Sequence, residues 1–323
     1  MQNLSVIILT ALCAFSSSQS IAADHMDSHL ENQNWKTHYF GRFSLSLPKD
    51  SEISADYKIF GANIELISKN ARSELPNIVN QQIDALKKGT AKGTAHRYQK
   101  TIPLDNESTL LLSRLTSLYT FNVYLITNKN TAYHMMVRNI SEEGMPTAVE
   151  RMRMLSDAIY FRHPDSAPPA EGFALEAGYT LLDKTRFYES VYMGAQIKEH
   201  SGTYISLLTK GIEEKENTLI QRFEAKQYDA SVGDLMKAGT ITVLRKNKRT
   251  AREINGEEIA LSANADGKKF YAFQFEHEGT IGSNTRPYIA LELGTHEKGS
   301  DFASDEEALA FWDDVLNSLR STL

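Results

Sequence analysis

The chain has 323 residues, of which 41% are hydrophobic, 24% charged and 9% aromatic. This composition is that of a folded globular protein, and it excludes collagenous, low-complexity and disordered chains. The 35 basic and 41 acidic side chains give a net charge of −6, which argues against a nucleic-acid-binding protein because such proteins cluster Lys and Arg. The length predicts two domains.

The first 23 residues have the layout of a secretory signal peptide. They contain no charged side chain, and the apolar stretch 4–15 is followed by small residues that end at Ala23. The stretch is shorter than the roughly 20 residues of a membrane-spanning helix. Cleavage near Ala23 is therefore favoured over retention as an anchor or N-terminal helix. The only cysteine, Cys13, lies in this segment, so the mature chain would form no disulfide, and the expected location is the periplasm.

Residues 36–163 are predicted to form a first α+β domain, after a polar lead-in at 24–35. Alternating or continuous apolar runs predict strands, and apolar residues at helical spacing predict helices. The predicted strands are 43–47, 64–67, 110–112, 121–126 and 133–137, of which the last two pair. The predicted helices are 75–86, with Gly89 just beyond its end, and 145–159, whose methionine stripe is typical of core packing.

The segment 164–170 is predicted to be a linker because it concentrates proline. A second α+β domain, 171–323, follows with a similar order of elements, each domain having an antiparallel or mixed sheet with packed helices. Its predicted strands are 173–182, 187–197, 203–208, 240–244, 257–262, 269–276 and 288–293, with a tight hairpin at Asp266-Gly267. Its predicted helices begin at Thr218 and Ser304, each with a capping box, and a further one lies near 232–237. The repeated order permits a duplicated domain.

The sequence contains no recognisable catalytic or cofactor-binding motif. It lacks the G-x-S-x-G nucleophile pattern and the glycine patterns of nucleotide-binding loops. His277-Glu278 and His296-Glu297 begin like a zinc-binding helix, but the second histidine of that motif is absent. The cluster 245–249 is basic, and a charged hairpin tip is its common explanation. We therefore expect no catalytic residue, no metal and no cofactor.

Three stretches carry a family resemblance. The first is GRFSLSLP at 41–48, and the second is LRKNKRT at 244–250 followed by NGEE at 255–258. The third is RPYIALEL at 286–293 followed by SDEEALAFWD at 304–313. In order and spacing they resemble the immunity proteins that neutralise the fourth family of lipase effectors of bacterial type VI secretion systems. Two positions depart from the family pattern, namely Asn247 in place of glycine and Asn255 in place of an apolar residue.

The resemblance implies a protein that binds a cognate phospholipase effector in the periplasm and blocks its active site or lid. Such a protein is not an enzyme, and its partner is the effector rather than a nucleic acid or a membrane. Arg245 and Arg249 are expected to bridge strands to Glu257 and Glu258, and Gly256 to allow an unusual backbone angle. All motif residues are expected to hold the fold: Gly41, Arg42, Arg245, Arg249, Gly256, Glu257, Glu258, Arg286, Pro287 and Trp312.

The candidate contacts with the effector are Glu213, Glu214 and Glu216, in the loop before the helix at Thr218. Such acids could meet a basic rim and accelerate encounter. They could equally stabilise the dipole of the following helix. Two other functional classes stay open. One is an exported enzyme of unrecognised type, which needs convergent titratable side chains; the other is an envelope lipid- or peptide-binding module, which needs a continuous apolar groove.

Overall fold

A computed structural model describes residues 34–92, 95–183, 187–227, 240–265 and 267–323. The predicted signal peptide, almost all of the lead-in and the helix expected near 232–237 lie outside these ranges. The N-terminal half contains the following elements: β1 (Trp35–Phe40), β2 (Phe43–Pro48), β3 (Glu52–Ile59), β4 (Ala62–Ser68), α1 (Ala71–Lys88), β5 (Arg97–Pro103), β6 (Thr109–Leu115), β7 (Leu118–Ile126), β8 (Ala132–Ile140), α2 (Met145–Ala158) and β9 (Ile159–Phe161).

The C-terminal half repeats this order of elements among the described residues. Its elements are β10 (Phe173–Ala174), β11 (Gly178–Thr180), β12 (Glu189–Gln196), β13 (Thr203–Lys210), α3 (Leu219–Glu224), β14 (Thr240–Ala251), β15 (Ile254–Ala265), β16 (Lys268–His277), β17 (Tyr288–Thr295), α4 (Asp305–Ser318) and β18 (Arg320–Ser321). The α+β class is confirmed. The topology also contains the repeat that the order of the predicted elements permitted.

One twelve-stranded antiparallel sheet runs through both halves. Its strand order is β14-β15-β16-β17-β13-β12-β3-β4-β8-β7-β6-β5. Each half supplies six strands, and the order from the centre outwards is the same on both sides. The junction is the β3–β12 pair, in which Glu52–Ile59 lies antiparallel to Glu189–Gln196. The strand order is thus that of a duplicated unit joined edge to edge.

The two halves also exchange short strands. β18, at the end of the chain, pairs with β2, and β9, at the end of the first half, pairs with β11. This arrangement differs from the expectation of one sheet per domain, because each half completes hydrogen-bonded ladders of the other. The proline-rich segment 164–170 does connect the two repeats. The boundaries 36–163 and 171–323 stay a prediction about folding units.

The two faces of the large sheet are covered differently. Phe121, Val123 and Leu125 of β7 point into the main core, which α2, α4 and the short sheets cover. Tyr124 and Ile126 point the other way, against α1. A smaller cluster beneath α3 covers β15 and β16 in the same way. We call the side that carries α1 and α3 the outward face. Among the described residues, no helix covers the strands between α1 and α3 on this face.

Several element boundaries differ from the sequence-based prediction. Helix α1 begins at Ala71 rather than residue 75, so Pro76 lies inside it. The turn between β7 and β8 allows this, because the carbonyl oxygen of Asn130 accepts from Ala71 N–H and the Asn130 side chain from Arg72 N–H. Strand β3 was missed, although its apolar residues alternate with polar ones: Ile53, Ala55, Tyr57 and Ile59.

Candidate functional site

Two grooves open on the outward face, at the end of the sheet where β3 ends and β12 begins. We call this the groove end. It comprises the β3–β4 turn at 60–61, the start of β12, the loop 211–218, the loop 278–287 and the β6–β7 turn at 116–117. The strand register places the first four there, since Ile59 pairs with Glu189, Ser190 with Lys210, and Lys210 with Tyr288. The β4–β8, β7–β8 and β6–β7 registers place the β6–β7 turn at the same end.

The first groove lies in the C-terminal half and has a volume of about 270 Å³. Its floor is formed by outward-facing residues of β13, β16 and β17, and its walls by Tyr192, the loop 211–218 and α3. Five glutamates and three cations line it: Glu214, Glu216, Glu276, Glu278, Glu292, Lys210, Lys215 and Arg222. The groove is therefore polar, with an excess of negative charge.

A hydrogen-bonded network makes the floor of this groove. Arg222 Nη2 lies 2.6 Å from Oε1 of the buried Glu276. The Gln274 amide donates to Glu276 Oε1 at 2.9 Å and to Glu292 Oε1 at 3.2 Å. Burial, together with the neighbouring Glu276 carboxylate, raises the pKa of Tyr288. These contacts fix the floor side chains in place, so a partner meets a rigid polar surface.

The predicted contact residues Glu213, Glu214 and Glu216 are exposed in the loop beside this groove. Two of them, Glu214 and Glu216, line it. Within the described part of the chain, none of the three side chains makes a hydrogen bond or ion pair. Their carboxylates are therefore available to an outside partner.

The first amides of α3 are satisfied without these glutamates. Thr218 Oγ1 accepts from Gln221 N–H, and the Gln221 side chain accepts from Thr218 N–H, which confirms the predicted capping box. In addition, Glu257 Oε2 accepts from Ile220 N–H at 2.8 Å. Since Glu257 already supplies an anion at this helix end, the helix-dipole explanation of the loop glutamates is weakened.

The second groove lies in the N-terminal half. It is lined by the β3–β4 turn and by outward-facing residues of β4 and β8, and its charged lining residues are Lys58, Glu65 and Arg138. His134, also in the lining, has a lowered pKa because it is largely buried. Between the grooves, Tyr192 is 54% exposed. An exposed aromatic ring between two polar grooves is typical of a protein-binding surface.

Sequence reasoning does not single out Tyr192 or Arg222, and it includes Glu292 only as part of the third motif. Glu276 is not singled out either, although it precedes the His277-Glu278 pair. For Tyr192, Glu276 and Glu292, the available signal was a charged or aromatic residue at an outward position of an otherwise apolar strand. That signal says nothing of which strands are neighbours, so the groove could not be assembled from it.

Gly41 and Arg42 of the first motif lie in the turn between β1 and β2. Gly41 has a φ of +58°, and a Cβ there would lie 2.8 Å from Phe173 and Val191, so glycine is required. The Arg42 side chain is buried and donates to both carboxylate oxygens of Glu189, at 2.7 and 2.9 Å. This turn therefore binds the start of β12.

The second motif forms a network with α4. Arg249 Nη1 lies 2.7 Å from both Glu258 Oε1 and Asp313 Oδ1. Arg245 binds Asp313 through two nitrogens, at 2.6 and 2.9 Å. The indole N–H of Trp312 donates to Glu258 at 2.7 Å. The basic cluster is thus not a solvated hairpin tip, because Arg245 and Arg249 point towards acids of α4 and β15.

Two details of that motif differ from expectation. Glu257 does not bridge to the arginines; it caps α3. Gly256 lies within β15 and is not among the residues with positive φ. Its role is steric, because a Cβ there would approach the Glu276 carbonyl oxygen within 2.3 Å and the Phe275 ring within 2.6 Å. Glycine is needed for close strand approach rather than for a turn.

Arg286 and Pro287 of the third motif end the loop that leads into β17. Arg286 is exposed, and its carbonyl oxygen accepts from Thr280 N–H at 2.7 Å. Pro287 is buried and faces Gly279, whose φ is +72°. These contacts shape the loop 278–287 at the groove end.

The described ranges contain no group of three or more His, Cys, Asp or Glu side chains arranged to hold a metal ion. In the same ranges, no helix has the length and apolar character needed to cross a membrane.

The duplicated α+β fold presents two polar grooves, an exposed tyrosine and, among the residues that the structure describes, three acids without a hydrogen bond or ion pair at one end. Such a surface is typical of a protein-interaction module. Residues 166–322 match the model of the Tle cognate immunity protein 4 C-terminal domain. Over this segment the chain is similar to that family of immunity proteins. No curated protein sequence matches the chain.

Solved structures extend the similarity to both halves. The apo immunity protein TplEi of the type VI secretion system (T6SS) from Pseudomonas aeruginosa is 26% identical with a TM-score of 0.80, over 91% of this chain and 99% of that one. A chain of the Tle4–Tli4 complex is 27% identical with a TM-score of 0.79, over 90% and 98%. TplEi complexed with "L" peptide is 26% identical with a TM-score of 0.75, over 90% and 98%.

Proposed function

We propose that this protein binds and inhibits a cognate T6SS lipase effector, and that it does so in the periplasm by covering the active site or holding the lid of that effector. The observation that carries the proposal is the match of residues 166–322 to an immunity-protein family. A similar structure belongs to the Tle4–Tli4 complex. An inhibitor of this kind needs a rigid surface for one partner rather than reactive groups.

The two alternative classes receive less support from the site. A lipid-binding module needs a continuous apolar groove, whereas charged side chains line both grooves at the groove end. An exported enzyme needs convergent titratable side chains. The charged side chains in the floor of the first groove are instead held in ion pairs and hydrogen bonds, as in Arg222–Glu276. That the chain is not an enzyme, and that its signal segment is cleaved near Ala23, stay predictions.

The function is tested with a candidate T6SS lipase effector from the genome that encodes this chain. Purified immunity protein, from residue 24 onwards, is titrated against the purified lipase with a soluble ester substrate. We expect stoichiometric inhibition, because a dedicated partner of this size buries well over about 1,200 Å². A lipase that stays fully active at molar excess of the protein would discard the function.

We further propose that Glu213, Glu214 and Glu216 contact a basic rim of the effector. Their support is the absence of any hydrogen bond or ion pair for these side chains within the described residues. Long-range attraction between opposite charges raises association rates more than it lengthens residence.

This contact is tested by reversing Glu214 and Glu216 to Lys. The matched control reverses two exposed glutamates at the opposite end of the sheet, Glu199 and Glu297. We expect the groove variant to associate about tenfold more slowly at low salt, with a weaker salt dependence, and the control to resemble wild type. Equal association rates for the two variants would discard the contact and leave the inhibition unaffected.

A further inference from the structure

Three cations lie across the groove end of the outward face. Ser190 of β12 pairs with Lys58 of β3 on one side and with Lys210 of β13 on the other, so two strand steps separate the lysines by about 10 Å. Lys58 and Arg138 line the second groove, and Lys210 lines the first. We call Lys58, Arg138 and Lys210 the cationic row, which extends from one groove to the other.

The side chains of the cationic row point away from the main core. Tyr57 and Ile59, on either side of Lys58, belong to that core, so the alternation along β3 turns Lys58 outward. Lys210 and Arg138 line the grooves of the outward face in the same way. Lys58 and Arg138 are exposed, and Lys210 is half-buried. A partner that approaches this face can therefore reach all three cations.

Carboxylates of the chain do not neutralise the cationic row. Within the described residues, none of its three side chains forms an ion pair. Arg138 Nε donates to Met136 Sδ at 3.1 Å, and a thioether is a weak acceptor. Lys210 Nζ lies 5.3 Å from the centre of the Tyr288 ring. These contacts leave the cations without the ionised acids with which Lys and Arg form their strongest hydrogen bonds.

Acids flank the cationic row without pairing with it. The acidic loop 211–218 begins directly after Lys210. On the other side, Asp56 lies two residues before Lys58 in β3, about 7 Å away along the strand. Among the described residues, Asp56 makes no ion pair, and neither do the three glutamates of the loop. The charge therefore changes sign twice across the groove end, and the fold keeps the opposite charges apart.

We propose that the cationic row binds carboxylate side chains of the cognate effector, and that cations beside those carboxylates meet the acidic loop. This inference rests on the proposed function, and it names the chemistry of the partner surface, which is acidic residues bordered by basic ones. Charge complementarity carries it. In the described chain, the row offers three cations and the loop three acids that have no ion pair, all within the span of an ordinary interface.

An anionic membrane or another uniform polyanion fits this surface less well than a protein does. The acids on both sides of the cationic row would face negative charge and oppose its binding. A folded protein can instead hold charges of both signs at fixed positions, and like-charge contacts then reject effectors with a different pattern. The row is thus expected to select one effector more than to strengthen binding in general.

The first test is the variant Lys58→Glu/Arg138→Glu, which reverses the two exposed members of the row. Its control, Lys100→Glu/Lys298→Glu, makes the same change of net charge at exposed lysines of the edge strand β5 and of the loop after β17. Both variants should keep the wild-type unfolding midpoint, because exposed charges contribute little to stability. The row variant should associate with the effector at least about tenfold more slowly at low salt, and the control should stay within about threefold of wild type.

A second variant separates local charge matching from attraction by net charge. Lys58→Glu/Glu214→Lys keeps the net charge of wild type but exchanges a sign in the row for one in the loop. Attraction by net charge alone predicts a wild-type association rate, whereas local matching predicts a loss of at least about tenfold. A wild-type rate for this variant, or a row variant as fast as its control, would overturn the proposal and leave inhibition by the wild-type protein intact.

Vesicles that contain phosphatidylglycerol test the alternative occupant. If wild type binds them, and the row variant loses this binding but inhibits the effector as wild type does, the row belongs to an anionic headgroup and the proposal fails. If wild type does not inhibit the effector at molar excess, the proposed function itself fails.

Discussion

Arg42 and Glu189 form a buried ion pair with two hydrogen bonds, and both side chains are at least 97% buried. They lie 147 residues apart and belong to different repeats. A third bond joins Arg42 Nη1 to the Glu171 carbonyl oxygen at 2.6 Å. Burial raises the pKa of Glu189, and the hydrogen bonds from Arg42 oppose that rise. The pair connects the β1–β2 turn to the central strand β12.

Replacing Arg42 by Met should lower the free energy of unfolding by about 3–5 kcal/mol, because it leaves a buried carboxylate without its cation. The measurement is urea unfolding followed by tryptophan fluorescence. The control Arg72→Met removes an exposed ion pair with Glu107 and should cost less than about 1 kcal/mol. Adding Glu189→Leu to Arg42→Met should recover part of the loss, and a double variant as unstable as the single one would contradict this account.

Replacing Gly256 by Ala should lower the free energy of unfolding by about 1–3 kcal/mol, because the new methyl group would overlap the Glu276 carbonyl oxygen and the Phe275 ring. Gly194→Ala is the matched control within β12, where the nearest atom, Ser54 Oγ, lies 4.0 Å from the added Cβ. The control should change stability by less than about 0.5 kcal/mol. Equal thermal midpoints for the two variants would show that the strands separate easily at Gly256.

Asp313 should give the protein a stability component that is lost in acid. Burial raises its pKa, but hydrogen bonds from Arg245 and Arg249 outweigh burial, so the pKa lies below the ordinary 3.8. A depressed pKa stabilises the fold above the unfolded value, and that stability is lost as the pH falls through the folded value.

The measurement is the difference in unfolding free energy between wild type and Asp313→Asn across pH. We expect wild type to be more stable than Asp313→Asn by about 1 kcal/mol at neutral pH, a modest difference because the Asp313 side chain is partly exposed. The difference should shrink below the ordinary pKa of 3.8. A difference that persists unchanged into strong acid would assign the effect to geometry rather than charge.

If the chain is cut within 164–170, the two fragments should stay associated in the absence of denaturant. β9, β3 and β2 of the first fragment pair with β11, β12 and β18 of the second. A protease site placed next to the exposed Asp165 allows the cut, and size-exclusion chromatography then measures association. Two fragments that separate under native conditions, each with folded circular dichroism, would instead support independent domains with the predicted boundaries.

The local elements were readable from the sequence for physical reasons. The capping residues of α3 and α4 act on amides within one helical turn, and the apolar run that marks β7 involves only consecutive residues. The hairpin between β15 and β16 likewise involves neighbours along the chain. The family motifs at 41–48 and 286–313 were visible because they are contiguous.

Sequence alone therefore determined the α+β class, the repeated order of elements, the capped helices and the acidic loop. Only the tertiary structure decided that β3 pairs with β12, that β18 and β9 cross to the other repeat, and that the Glu213–Glu216 loop and the β6–β7 turn share one end of the sheet. The reason is that periodicity reports which side of a strand is buried, whereas the β3–β12 and β2–β18 pairings depend on contacts between residues more than a hundred positions apart.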